Sequence, residues 1–193
     1  MRYVAGHKDR TRTRVLKEAA KAIRAEGPHR IGVAGVMAKA GLTHGGFYAH
    51  FDSKEELVVA AMAQMFDETL AKFEQVTGGK PPALALRSYV DFYLTVRHKD
   101  ARDSGCPLSL LAADLPRLDS PARERFASGL SRLTAALANL LFALKGGDCE
   151  PLAISALAEM VGALSLARGI DDPRRSKMIL KRSRDLLKVR LGI

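Results

Sequence analysis

Residues 41–51, GLTHGGFYAHF, bring two histidines, three glycines and three aromatic rings into eleven positions. Three chemistries use such residues, and each makes a demand on spacing. A metal site on a helix needs ligands three or four positions apart. His44 and His50 are six apart, with no cysteine or carboxylate cluster beside them, so no metal is expected. A phosphate-binding loop needs Lys-Ser/Thr after its glycines and a strand before them, and both are missing. Catalysis by His44 would need an orienting acid or a nucleophile, and the local sequence supplies neither.

The second stretch able to carry chemistry is DSGCPLSLL, residues 103–111. With Pro107 at a first helical position, Cys106 falls at the N-cap. Unpaired amides and the positive helix end are expected to lower its thiol pKa there. His98, Lys99 and Arg102, just upstream, add to that effect. Two readings stand side by side: a reactive sensor thiol, or a small buried side chain closing a pocket. A cysteine-dependent enzyme would need a base such as His98, and nothing in the sequence orients it. Cys149, in a glycine-rich loop, reads as incidental.

The elements that must position these residues are helices, with almost no alternating strand pattern. Val15, Leu16, Ala19, Ala20 and Ile23 form an apolar stripe within roughly 10–26, stopped by Gly27-Pro28. A short helix over 33–40 ends at Gly41, a natural left-handed position. Another follows over 43–49. Asp52 or Ser53 then caps a long helix whose stripe of Val58, Met62, Met65, Thr69, Phe73 and Val76 runs to Gly78. The pattern continues with helices over about 83–99, 107–116, 121–144, 151–170 and 173–191. The expected class is all-α: an N-terminal helix-turn-helix domain, residues 1–53, and a C-terminal helical domain, residues 54–193.

Helix, tight turn and short helix make a helix-turn-helix, whose second helix enters the DNA major groove with its first residues at base edges. Thr43 then caps that helix and offers a hydroxyl to phosphate, and His44 points outward. Gly45 and Gly46 let backbone approach DNA closely, at a cost in helix propensity. Tyr48 and His50 donate to phosphates, and Lys54 adds charge at the start of the next helix. Phe47 and Phe51 plug a small core with Leu42, Val36 and Ile23.

Charge agrees with this reading. The 193 residues carry a formal net charge of +10, and residues 1–55 hold 11 Lys and Arg against 5 Asp and Glu. A polyanion is a natural partner for such a surface. The first twenty residues are basic and lack the apolar run of a signal peptide. Two cysteines are too few for a disulfide framework, so a cytoplasmic location is expected. The apolar run 151–167 is too short for a membrane span and contains Glu159. It is apolar on nearly every side and rich in small residues, so one wall is expected to come from another subunit.

GLTHGGFYAHFDSKEELV resembles the recognition helix and following turn of the tetracycline-repressor (TetR/AcrR) family of bacterial transcriptional regulators. The preceding IGVAGVMAKA is similar to that family's first short helix, and the resemblance covers residues 8–66. Two positions depart from it: Gly32 stands where a Ser or Thr cap is usual, and Gly35 where an acidic residue is common. The resemblance implies a homodimer, usually a repressor, on a pseudo-palindromic operator, with a small ligand in the C-terminal domain changing the spacing of the two heads. It implies DNA contacts by Thr43, His44, Gly45, Tyr48, His50 and Lys54. A basic N-terminal arm of Lys8, Arg10, Arg12 and Arg14 would add backbone or minor-groove contacts. It places the dimer interface on the helices at about 121–144 and 150–170. The Gly-Cys-Pro at Cys106 resembles a subset of the family that senses oxidants or electrophiles. For a bound inducer, the candidate walls are Met62, Met65, Phe66, Tyr89, Phe92, Tyr93, Leu110 and Leu133. No cofactor is expected. A protein-interaction module without a ligand is the alternative, and the salt dependence of DNA binding separates the two.

Overall fold

The computed structural model describes residues 2–193, with side chains described from Lys8 onward. It is all-α, as expected. The elements are α1 (Arg2–Glu26), α2 (Val33–Lys39), a 3-10 segment (His44–Ala49), α3 (Lys54–Thr77), α4 (Pro82–Tyr93), α5 (Val96–Asp100), α6 (Pro107–Leu111), a 3-10 turn (Leu115–Arg117), α7 (Ser120–Lys145), α8 (Glu150–Gly169) and α9 (Pro173–Leu191). No strand occurs among the described residues.

Three helices differ from the sequence reading, one of them being that expected over 107–116, which ends at Leu111 and is followed by a separate 3-10 turn at Leu115–Arg117. The first helix starts at Arg2 rather than near Arg10, because the apolar stripe marks only the part that packs. The basic arm is therefore helical, not extended. The helix expected over 83–99 breaks at Leu94, with φ −94° and ψ 57°. Thr95 causes the break: its Oγ1 accepts the His98 amide at 3.1 Å and donates to the Phe92 carbonyl at 3.0 Å. A threonine bonded this way competes with the helix it would otherwise continue.

The long helix α3 holds the molecule together. Ser53 caps it, accepting the Glu56 amide at 3.1 Å, and Glu56 reaches back to the Asp52 amide at 2.6 Å. That is a capping box shifted by one residue. It packs on α1, α4 and α7, so the boundary expected at residue 53 falls at the start of a helix shared by both parts. The closest approach is at Gly129 of α7. A β-carbon there would stand only 2.2 Å from Cγ of Phe66. Glycine lets the Phe66 ring lie on the α7 backbone, edge-on to Phe126 with centroids 5.5 Å apart.

α7 and α8 run side by side at one flank. Leu133, Leu137 and Leu141 of α7 and Ala156, Leu157, Met160 and Leu164 of α8 are buried. Phe142, Ile154 and Leu166 are left 60%, 52% and 62% exposed. Both helices are long and apolar enough to cross a bilayer by length and composition. The core helix of a helical bundle meets the same criterion, so the two helices do not indicate a membrane span. Their packing in the helical bundle covers part of that apolar surface and leaves these three side chains in the open.

The basic final helix α9 is fastened to the bundle. Asp172 caps it, accepting the Arg174 amide at 2.8 Å. Arg190 pairs with Glu159 at 2.6 Å, while Lys188 and Arg184 pair with Asp91 of α4. Part of the terminal charge thus serves the fold itself.

Candidate nucleic-acid interface

The turn between α2 and the 3-10 segment is built by Gly41. Its φ of +69° lies in the left-handed region that glycine reaches without strain. The Gly41 amide bonds to the Ala38 carbonyl and the Leu42 amide to the Met37 carbonyl, both at 2.9 Å. This double closure is a Schellman motif, and it seats Leu42 against fully buried Met37. The chain direction after α2 is therefore fixed by one glycine and one apolar contact.

The segment that follows, His44–Ala49, is a 3-10 helix rather than an α-helix. Two consecutive glycines, poor helix formers, explain the tighter winding over so short a run. Thr43 occupies the N-cap with an extended backbone, but its hydroxyl makes no capping bond, contrary to the capping role expected of it. That oxygen stands at the surface instead.

Below the segment, Phe47 and Phe51 are buried and stacked 5.6 Å apart. They join Ile23 and Val36 in the core, with Leu42 partly buried beside them. Above it, Thr43, His44, Gly45 and Tyr48 are exposed, Tyr48 to 68%. Nothing lies within 4 Å of where a Gly45 β-carbon would be, so backbone is open to approach there. His50 is half-buried, and its Nδ1 is enclosed without a partner. Burial, with Lys8 and Arg12 adding to it, pushes its pKa down, so the ring is neutral near pH 7.

The cations divide into free and held. Lys8, Arg10 and Arg14 are exposed on α1. Arg12 lies 4.7 Å over the Phe51 ring and 3.4 Å from Glu56, so it braces α1 against α3. Lys54 donates to the His29 carbonyl at 3.1 Å, tying the start of α3 to the loop after α1.

The other predicted residues lie in the body. Met62, Met65, Phe66, Tyr89 and Leu133 are buried in continuous core, and Leu110 is partly buried against it. Of the eight, Phe92 and Tyr93 border a cavity that they share with Cys106 and His98. A larger apolar cavity, about 370 Å³, opens between α6, α7 and α8, lined by Leu108, Phe126, Leu130, Ile154, Leu157 and Val161. None of its residues was expected to line a ligand pocket: Phe126, Leu130, Leu157 and Val161 read in the sequence as apolar stripes of the two helices expected to form the dimer interface.

Cys106 does sit at the N-cap of α6, but it is buried, and burial pushes its thiol pKa up. The Tyr93 hydroxyl, the Leu108 and Ser109 amides and Arg168 pull the other way without cancelling that effect. The expected lowering is thus reversed by desolvation. His98 Nε2 accepts the Cys106 backbone amide at 3.2 Å, which leaves its Nδ1–H to donate to the Tyr93 carbonyl at 2.8 Å. Both ring nitrogens are engaged by backbone, so the imidazole forms no pair with the thiol.

Two functional-looking arginines escaped sequence reasoning. Arg168 of α8 donates to the His98 and Lys99 carbonyls, each at 3.1 Å, and to Ser109 at 2.7 Å, pinning the end of α5 and the α6 turn to α8. Arg24 of α1 is buried and pairs with Glu68 of α3 at 2.7 Å. Its signal was present: buried Ala20, four residues earlier, puts position 24 on the inner face.

Residues 15–61, which contain the helix-turn-helix, match the family model for bacterial regulatory proteins, tetR family. No curated protein matches the sequence. Among solved structures, the chain is similar to a TetR transcriptional regulator from Chloroflexus aurantiacus J-10-FL, at 24% identity and a TM-score of 0.81, covering 100% of this chain and 97% of that one. It is similar to the reduced form of E. coli NemR, at 21% identity and a TM-score of 0.81, covering 92% and 95%. It is also similar to a TetR-family regulator from Streptomyces coelicolor, at 20% identity and a TM-score of 0.74, covering 95% and 96%. Residues 15–61 thus match the DNA-binding family model of the tetR regulators, and the whole length of the chain has the fold of solved TetR-family regulators.

Proposed function

We propose that this chain is a homodimeric transcriptional repressor that holds a pseudo-palindromic operator and releases it when a small molecule binds or Cys106 is modified. The observation that carries the DNA-binding part is the two-sided recognition segment: Thr43, His44, Gly45 and Tyr48 exposed, over Phe47 and Phe51 buried. Lys8, Arg10 and Arg14 extend the basic surface along α1, while Lys54 and Arg12 hold the head in shape. The uncovered apolar residues of α7 and α8 supply the dimer face, and a two-fold dimer presents two recognition segments to two half-sites. TetR-family regulators are DNA-binding proteins and not enzymes, and are generally cytoplasmic.

For the release step, the protonated, buried thiol favours ligand occupancy over direct oxidation, because the thiolate is the reactive form. The test is a gel shift with the DNA flanking the protein's own gene, over a series of salt concentrations. Operator binding predicts a two-fold symmetric footprint and affinity falling with a log–log salt slope of about −0.9 per phosphate contact. A salt-insensitive or sequence-blind interaction would favour a protein-interaction module instead.

A further inference from the structure

We infer that the cavity where α1, α3, α4 and α5 meet is a binding site for a small carboxylate of formate or acetate size. The cavity measures about 50 Å³ and is bordered by Arg24, Glu68, Lys72, Phe92, Tyr93 and His98, among others. Two of these side chains carry buried polar atoms without a hydrogen-bond partner: Arg24 Nε and Tyr93 Oη. Arg24 is 5% exposed and Tyr93 1%. Native proteins rarely leave such groups unpaired, and each calls for a partner. The Tyr93 hydroxyl lies close to the Cys106 thiol but forms no hydrogen bond to it.

The chemistry of the missing partner follows from the lining. A guanidinium N–H can only donate and a phenol O–H donates readily, so the group that satisfies both is an acceptor. Glu68 does not serve: one oxygen is bound to Arg24 Nη2 and the other to Gln64 at 3.0 Å, leaving Nε unmet. His98 is neutral, with both nitrogens engaged, and Cys106 is a protonated thiol. The charges facing the cavity are thus Arg24, Lys72 and Glu68, one positive charge in excess. Lys72 stands at the rim, 5.2 Å over the Phe92 ring. A monoanion neutralises that excess inside a region of low dielectric.

Size sets the upper limit. At roughly 10–15 Å³ per water-sized sphere, the space accepts about three or four non-hydrogen atoms. Formate has three and acetate four, with Phe92 available to receive the methyl group. Arg24 belongs to α1 and Tyr93 to α4, so an anion bonded to both would bridge the DNA-binding head and the body. Binding rests on the cavity alone, and only its effect on DNA rests on the function proposed above.

The experiment is calorimetric titration of the full-length protein, without DNA, using sodium formate and sodium acetate against equal sodium chloride. Saturable binding of formate or acetate is expected. Tyr93→Phe keeps the ring and removes the hydroxyl, so its binding should weaken at least ~10-fold. Its melting temperature without carboxylate should not fall, because the hydroxyl has no partner to lose. Arg24→Lys keeps the charge and loses the Nε donor, and should weaken binding likewise. Absence of saturable binding by the wild type would mean that water alone fills the cavity, and would overturn the proposal. Undiminished binding by Tyr93→Phe would overturn it as well. Neither result bears on operator binding, which the gel shift measures separately.

Discussion

Replacing Gly129 with alanine puts a methyl group 2.2–2.4 Å from three ring atoms of Phe66, well inside van der Waals contact. The ring cannot yield easily: Phe66 is 1% exposed and is held edge-on by Phe126. Overpacking a well-filled core costs about 1–3 kcal/mol, and an overlap with a wedged ring belongs at the upper end. Against it stands the gain from replacing glycine in a helix interior, about 1 kcal/mol. The net is a destabilisation of about 1–2 kcal/mol, or a fall in Tm of roughly 2–8 °C for a chain of this length. Gly35→Ala is the control, because nothing lies within 4 Å of its β-position in α2 and only the propensity gain remains. It should raise Tm by roughly 1–4 °C. Calorimetry at one fixed protomer concentration makes the comparison fair, since a dimer's Tm depends on concentration. Phe66→Leu combined with Gly129→Ala should cost less than the two single changes added together, by on the order of 1 kcal/mol. A Gly129→Ala protein that melts at or above the wild type would refute the reasoning.

Tyr48→Ala should leave stability within ~0.5 kcal/mol, since the side chain lies at the surface, while operator affinity falls about 3–10-fold; fluorescence anisotropy reads both proteins, and equal affinities exclude the contact. Phe142→Glu or Leu166→Glu places a charge on the proposed dimer face, so sedimentation should show monomers and the gel shift should be lost; an unchanged dimer would move the interface elsewhere. Cys106→Ser should abolish release of DNA by peroxide or quinones if the thiol is the trigger, and unchanged release sinks that branch of the mechanism. Burial holds the His98 pKa below its ordinary 6.5, so the unfolded chain binds the extra proton more readily. Stability should therefore be full above about pH 6.5 and decline as pH falls through that value. His50, shifted the same way, contributes to the same slope. Urea denaturation of His98→Gln should show a shallower decline, and an identical pH profile would count against the assignment.

The helical architecture and the location of the turn were readable because their causes are local. Gly41 announces a left-handed position, Ser53 an N-cap, and the spacing of Val58, Met62 and Met65 a buried face, each within a few residues. The short element after the turn was placed at 43–49 by Gly41 and the helix-turn-helix pattern, close to the observed His44–Ala49, but its 3-10 winding depended on how two glycines respond to the packing of Phe47. Cys106 shows the limit most clearly. Its N-cap position was visible, yet the sign of its pKa shift was set by burial, which depends on groups packed around it from elsewhere in the chain. The cavities were invisible for the same reason: Arg24 and Tyr93 are separated in sequence by α2, the 3-10 segment, α3 and nearly all of α4, and line one cavity only through tertiary packing.

α3 begins beside the recognition segment and ends at the exposed turn of Gly78, Gly79 and Lys80. Its 24 residues span about 36 Å at 1.5 Å per residue. It is gripped near its middle by Gly129 on one side and Arg24 on the other. A rod held at its centre is a lever. A tilt of only about 5° about that grip would swing each end by roughly 1.5 Å, and in the dimer proposed above mirrored tilts would change the separation of the heads by about 3 Å, nearly the ~3.4 Å rise of one base pair. Sub-ångström shifts at the grip would then suffice to put two recognition segments out of step with the groove.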